Sequence, residues 1–301
     1  MDLSTLNLPQ SDRTTTLEKI EQRVLWLAIQ QVHYANHHRP KKDKLKVGGH
    51  QTSSASVVTI LTTLYFNYLR QGDLISIKPH ASPVFHAIQY LLGKLDQSQL
   101  KGLRDFHGLQ AYPSRTKDPD RVDFSTGSVG LGGVAPNLAA LANSYLHTHG
   151  LVSHDTRRRF VSVLGDAELD EGSVWEAIAE PAMQGVDDIL WVVDLNRQSL
   201  DRVIPGIRVR CWREMFAANG WKVINAKYGG RLQAAFGEPN GELLQICIDE
   251  LSNDAYQRLL RLSPAELREW LPQKSRYPKE LRRLLDRWTD AELHDLFWNL
   301  G

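Results

Sequence analysis

Cysteine is scarce: the chain holds two, Cys211 and Cys247. Two thiols cannot build a disulfide framework, and their spacing is not that of a metal site, so they read as buried free thiols of a reducing compartment. Long apolar runs are also lacking. No stretch approaches the roughly 18 residues of a membrane span. The polar N-terminus MDLSTLNLPQSDRTTTLEK has no apolar signal core. A cytoplasmic protein without a membrane partner is expected. Charge of one sign is missing too: 36 Lys and Arg against 35 Asp and Glu leave a formal net charge of +1. Bulk electrostatics therefore draw in neither nucleic acid nor an acidic partner. The one basic run, Arg39 to Lys46, has no interleaved aromatic residues and reads as a solvated loop. Neither internal repeats nor low-complexity segments occur.

What remains is ordinary globular material, with 42% hydrophobic and 24% charged residues. The 301 residues suffice for one large domain or two modest ones with a sizeable core. The most informative stretch is 160 to 206. An apolar run, Phe160 to Leu164, breaks at Gly165-Asp166; a helix-like segment, Gly172 to Gly185, follows; a second apolar run, Ile189 to Val193, ends at Asp194-Leu195-Asn196-Arg197-Gln198. This predicts strand, acidic turn, helix, strand and amide-rich turn. In a parallel α/β sheet, sites form beyond the carboxyl ends of the strands. Asp166 and Asn196 follow their strands alike, and a carboxylate beside an amide oxygen suits a hard cation such as Mg²⁺ or Ca²⁺.

Along the rest of the chain, residues 1–16 read as an arm. Leu17 to Tyr34 carries apolar residues at helical spacing. Gly48-Gly49-His50 precedes a Ser/Thr-rich helix start, which sets His50 at a helix N-terminus. Ala55 to Leu69 reads as a buried helix and Asp73 to Ile77 as a strand. That strand ends at Lys78-Pro79-His80, before an apolar helix from Val84 to Leu95. A histidine at such a turn either faces the carboxyl rim or caps the helix. Leu100 to Asp105 is expected as a short helix, and Ser114 to Asp123 as a polar loop. The glycine-rich segment Ser125 to Gly133 feeds a helix from Val134 to His147. Its N–H groups could meet an anion. The spacing is not that of a P-loop, and such glycines also serve to let a helix approach a sheet. Arg210 to Asn219 is expected as a helix, Trp221 to Ile224 as a strand, and Leu243 to Asp249 as a strand or a helix. From Ser252 the chain turns charged and helical, with helix starts at Pro264-Ala265-Glu266 and Asp290-Ala291-Glu292. Trp270, Trp288 and Trp298 are expected to pack this appendage onto the sheet domain or a partner. The end at Leu300-Gly301, without a capping tail, reads as a cut.

Gly165-Asp166 followed thirty positions later by Asn196 resembles the thiamin diphosphate motif, in which Gly-Asp-Gly is linked by about thirty residues to Asn. Further blocks resemble, in the same order, the N-terminal domain of homodimeric pyruvate dehydrogenase, the decarboxylating component: GGHQTSSAS, KPHASP, GLQAYPS, STGSVGLGG, GDAELDEG, DLNRQSLDRVIPG and FAANGWKVI. Coverage runs from about residue 17 to the end. Transketolase shares the general plan, with a weaker match around His50 and after Asn196.

The resemblance implies a mostly parallel central sheet with helices on both faces over residues 17–251, an N-terminal arm over 1–16 and a helical appendage over 252–301. It implies thiamin diphosphate and Mg²⁺ as cofactors, with the metal on Asp166, the Asn196 side chain and the Gln198 carbonyl. Gly165, Ala167 and Glu168 would complete the diphosphate turn, and Tyr112, Ser128 and Val129 would lie near the cofactor. His50 and His80 would line the channel to the reacting carbon and move protons there. Two departures stand out. Alanine at 167 replaces the motif's third-position glycine, which is tolerated only where φ is negative. The domain carrying the activating glutamate is also absent from these residues. The chain is therefore expected to be the diphosphate-binding half of a 2-oxo acid dehydrogenase-like enzyme, with a second chain or domain, in an oligomer. A transketolase-type transferase half acting on a ketose, or a non-catalytic regulatory subunit that kept the fold, are the alternatives.

Overall fold

The computed structural model describes residues 9–40, 45–49, 51–127, 129–153, 158–195, 198–199, 202–203 and 206–298. The chain divides into two compact units. The first comprises Met1–Arg210 with Ala218–Gly220, and the second Cys211–Ala217 with Trp221–Gly301.

In the first unit, helix α1 (Gln10–His37) leads to α2 (Gln51–Ala55), α3 (Val58–Thr63) and a π turn (Leu64–Tyr68). Strand β1 (Leu74–Ser76), a 3₁₀ turn (Pro79–Ala81), α4 (Ser82–Leu91) and α5 (Gln97–Leu100) follow, then α6 (Leu131–Thr148), β2 (Phe160–Gly165), α7 (Gly172–Ala179) and β3 (Ile189–Asp194). The strands form a parallel sheet in the order β1-β2-β3, with Phe160 opposite Ile189 and Gly165 opposite Asp194. β2 is buried along its whole length, which explains its unbroken apolar run: a central parallel strand is covered on both faces. Full burial of Phe160, Val161, Val163 and Leu164 contributes about 1.5–3 kcal/mol each.

The α1 residues Val24, Leu27, Ala28, Val32 and Ala35 are buried at helical spacing. Buried Gln31 donates through Nε2 to the Pro83 carbonyl at 2.8 Å, tying α1 to the start of α4. On α6, a Cβ on Gly132 would come within 2.9 Å of Ser76 Oγ, and one on Gly133 within 2.8 Å of the Trp191 ring. These glycines let α6 close onto the sheet. Buried Asn137 then accepts from Trp191 Nε1 at 2.8 Å and donates to the Ala177 carbonyl, joining α6 to β3 and α7.

Several expectations shift. Residues 10–16, read as arm, are the first turns of α1. The 55–69 helix is broken into α2, α3 and a π turn. The short helix expected at 100–105 lies instead at Gln97–Leu100, started by Asp96, whose N–H donates to Gln99 Oε1. The second compact unit begins near residue 211. It contains most of α8 (Gly206–Ala218), then α9 (Gly230–Phe236), α10 (Gly241–Glu250), α11 (Asn253–Leu259), α12 (Pro264–Trp270), α13 (Pro278–Leu285) and α14 (Asp290–Trp298). Trp221–Ile224 is not a strand: Val223 and Ile224 are exposed, and no strand among the described residues pairs with them. Leu243–Asp249 is helical, with Leu244, Cys247 and Ile248 on its buried face. Capping boxes start α12 at Ser263/Glu266 and, by the same bonds, α14 at Thr289/Glu292. Trp270 and Trp288 pack against this unit's own leucine core; the Trp298 side chain lies outside the described residues. Cys247 is buried as expected, whereas Cys211 is exposed.

Candidate functional site

Asp166 follows β2 directly and opens a 3₁₀ turn, Asp166–Asp170. Its side chain is inside the protein, the residue being 1% exposed. Two positions on, Glu168 turns back so that Oε2 accepts the Gly165 N–H at 2.9 Å, while Oε1 is buried without a hydrogen bond. Burial pushes the Glu168 carboxyl up to about 7, against the opposing pull of the Gly165 N–H and the Lys78 cation. Ala167 sits within the 3₁₀ turn and is not among the non-glycine residues with positive φ, which are Arg104, His107 and Asn240. The extra methyl therefore fits the local backbone.

Lys78 lies across the end of β2. A Cβ on Gly165 would stand 3.0 Å from its Cε, and its Nζ donates to Asp194 Oδ2 at 2.7 Å, both side chains being buried. Ser56 donates to the same oxygen at 2.6 Å. Lys78 follows β1, Gly165 ends β2 and Asp194 ends β3, so one ion pair spans the carboxyl ends of all three strands. None of Lys78, Asp194 or Ser56 was marked by sequence reasoning. The available signal was a lysine and an aspartate placed at the ends of apolar runs.

Of the residues expected at the site, Gly165, Asp166, Ala167 and Glu168 share this turn. His80 and Tyr112 meet separately. His80 sits in the 3₁₀ turn after β1, and the Tyr112 hydroxyl lies 3.5 Å from its Nε2, with ring centroids 5.6 Å apart. Val129 is half-exposed just before α6. His50, Ser128 and Asn196 lie outside the described residues, as does the Gln198 side chain; the Gln198 backbone pairs with Val203 in a two-residue ladder. Register also refines one expectation. With Gly165 opposite Asp194, Asp166 comes one residue after its strand and Asn196 two after its own.

Among the described residues, the histidine and aspartates with metal-like spacing are His86, Asp118 and Asp120, not Asp166. Asp120 faces His86 Nδ1 at 3.1 Å and Asp118 faces Nε2 at 3.9 Å. The two carboxylates thus lie at opposite edges of one ring, Asp120 hydrogen-bonded and Asp118 beyond hydrogen-bond distance, rather than as ligands converging on an ion.

Residues 65–236, more than half of the chain, match the family model described as transketolase, thiamine diphosphate binding domain. The chain is similar to the pyruvate dehydrogenase E1 component of Escherichia coli K12, with 32% identity over 288 residues, 91% of this chain and 31% of that protein. It is also similar to the component of that name from Cupriavidus necator, with 28% identity over 99% of this chain and 33% of that protein. The chain thus spans about a third of the length of these relatives. Among solved structures, the transketolase from Leishmania mexicana shares the fold, with a TM-score of 0.56, 20% identity and coverage of 70% of this chain and 32% of that one. A mostly parallel α/β sheet with an acidic turn at its carboxyl rim, together with this match, assigns the chain to the transketolase thiamine diphosphate-binding domain family.

Proposed function

We propose that this chain is the diphosphate- and Mg-binding half of a thiamin diphosphate-dependent 2-oxo acid dehydrogenase-like enzyme. A second chain or further domain would supply the pyrimidine-binding half and its activating glutamate. The observation that carries this reading is Asp166, a carboxylate held inside the protein one residue beyond the central strand, at the rim where parallel α/β sheets bind ligands. The 3₁₀ turn that accommodates Ala167 and the buried, unbonded Glu168 Oε1 beside it support an oxygen-rich cradle for a hard cation. Asp166, the Asn196 side chain and the Gln198 carbonyl would hold Mg²⁺. These are the oxygen donors that suit such an ion.

When bound, thiamin diphosphate supplies the nucleophilic carbon and the electron sink for decarboxylating a 2-oxo acid. The chain's own residues orient and transfer protons. His80, with the Tyr112 hydroxyl next to Nε2, is placed to hold a proton at that nitrogen or hand it on. His50 would act beside it, and Ser128 and Val129 would border the pyrimidine. Buried Lys78 is paired with Asp194 at the strand ends, so the Asp194 carboxylate adds no uncompensated negative charge there to repel an anionic group. An oligomeric assembly in a reducing cytoplasm completes the reading.

Calorimetric titration with thiamin diphosphate tests it. Heat of binding is expected with Mg²⁺ and not with EDTA, and Asp166→Asn is expected to abolish it. Absence of Mg-dependent binding, both alone and with a candidate partner chain, would contradict it.

A further inference from the structure

Tyr112 sits in a five-residue loop, Gln110 to Ser114, whose backbone is held on both sides of the tyrosine. The two oxygens of Asp118 close the loop: Oδ1 accepts the Gln110 N–H at 2.7 Å and Oδ2 the Ser114 N–H at 2.7 Å. Ser82, the first residue of α4 and two beyond His80, donates to the Ala111 carbonyl at 2.8 Å. One turn further along α4, His86 reaches the Gln110 carbonyl at 3.4 Å through Nε2 and Asp120 at 3.1 Å through Nδ1. The Thr126 N–H donates to the Pro113 carbonyl at 3.1 Å, linking the same loop to the segment that enters α6. His86, Asp118 and Asp120 are all buried, and burial pushes the Asp118 carboxyl above its ordinary range despite two backbone N–H donors and the imidazole. A carboxylate kept inside at that cost, with both oxygens used by one short loop, fixes the loop's shape.

We infer that Asp118 is the positioning residue that holds the Tyr112 hydroxyl against His80 Nε2. Neither Asp118 nor His86 is placed to touch a substrate; each acts through the backbone of residues 110–114. The benefit to catalysis rests on the proposed function, but the positioning itself does not, and it is measurable without any cofactor. Preorganisation matters here because a proton-transferring pair loses rate steeply when displaced by about 1 Å.

The experiment follows the His80 ring resonances of the whole chain by NMR across pH, with no cofactor present. Tyr112→Phe removes the hydroxyl and is expected to displace the His80 titration curve. Asp118→Asn is expected to displace it in the same direction, and the Tyr112→Phe/Asp118→Asn double variant no further than Tyr112→Phe alone. Asp120→Asn removes the same charge from the same cluster without a bond to the loop, so it reports any purely electrostatic effect and is expected to leave the curve near wild type. Amide exchange gives a second readout: the Gln110 and Ser114 amides are expected to lose protection in Asp118→Asn only. The inference is overturned if Asp118→Asn matches Asp120→Asn in both readouts, or if Tyr112→Phe leaves His80 unmoved. Failure of thiamin diphosphate to bind would sink the proposed function and leave these titrations unaffected.

Discussion

The two units bury different chemistry. Every buried polar or charged side chain among the described residues lies between Gln31 and Asp194, in the first unit. The second unit's core is built from residues such as Leu244, Leu267, Leu281 and Leu293, with the thiol of Cys247 as its most polar member. Burying a charged group costs several kcal/mol unless it is paired, whereas burying leucine is favourable. Besides the Asp166–Glu168 turn, the first unit accepts that cost at two places, the Lys78–Asp194 pair at the strand ends and the His86–Asp118–Asp120 cluster behind Tyr112. Both places adjoin residues to which the family resemblance gives chemical roles. The second unit has no counterpart among the described residues, and its helices need only a core and good caps.

The largest way to break this contrast is Lys78→Met. It leaves Asp194 buried with the Ser56 hydroxyl as its remaining side-chain donor among the described residues and is expected to cost about 3–5 kcal/mol in chemical denaturation. Lys78→Met/Asp194→Asn, which removes both charges, is expected to recover most of that loss. In the apolar unit, Leu281→Ala, at a fully buried position, is expected to cost about 2–5 kcal/mol through the cavity it leaves, with no dependence on pH.

Glu168→Gln sharpens the contrast through pH. The folded carboxyl titrates at about 7, above its ordinary range, so the folded state binds this proton more tightly than the unfolded chain does. Its contribution to stability is fully present at low pH and is lost as pH rises through about 7. Glu168→Gln should therefore stabilise the protein at pH 8 by on the order of 2–3 kcal/mol and change little near pH 4, as read by thermal melts at both pH values. The smallest expected effect is in the second unit. Ser263→Ala removes the α12 capping box and should cost about 1 kcal/mol, independent of the first unit's polar groups.

Legibility in the sequence follows the same division. The apolar runs of β2 and β3, the turn at Gly165-Asp166 and the capping boxes of α12 and α14 are local patterns, and the structure contains them. The ion pairs are not local. Lys78 and Asp194 are 116 positions apart, and His86 meets Asp120 across 34. Asp118 and Asp120 lie in a stretch that reads as a polar loop, since polarity alone does not distinguish a buried cluster from a surface turn. A partial signal existed in α4, where Ser82, His86 and Gln89 recur at helical spacing within an otherwise apolar helix, the mark of a polar stripe that needs partners. The false strand at Trp221–Ile224 has the opposite cause: its residues favour a strand, but a strand requires a neighbour.

Mn²⁺ replacing Mg²⁺ offers the most direct test of the rim as a diphosphate site. Its electron paramagnetic resonance signal reports free ion as thiamin diphosphate is added to the whole chain. The expected result is loss of the free-ion signal beyond that caused by the cofactor alone, in wild type and not in Asp166→Asn. Equal signals for the two proteins would contradict a metal-bridged diphosphate at Asp166.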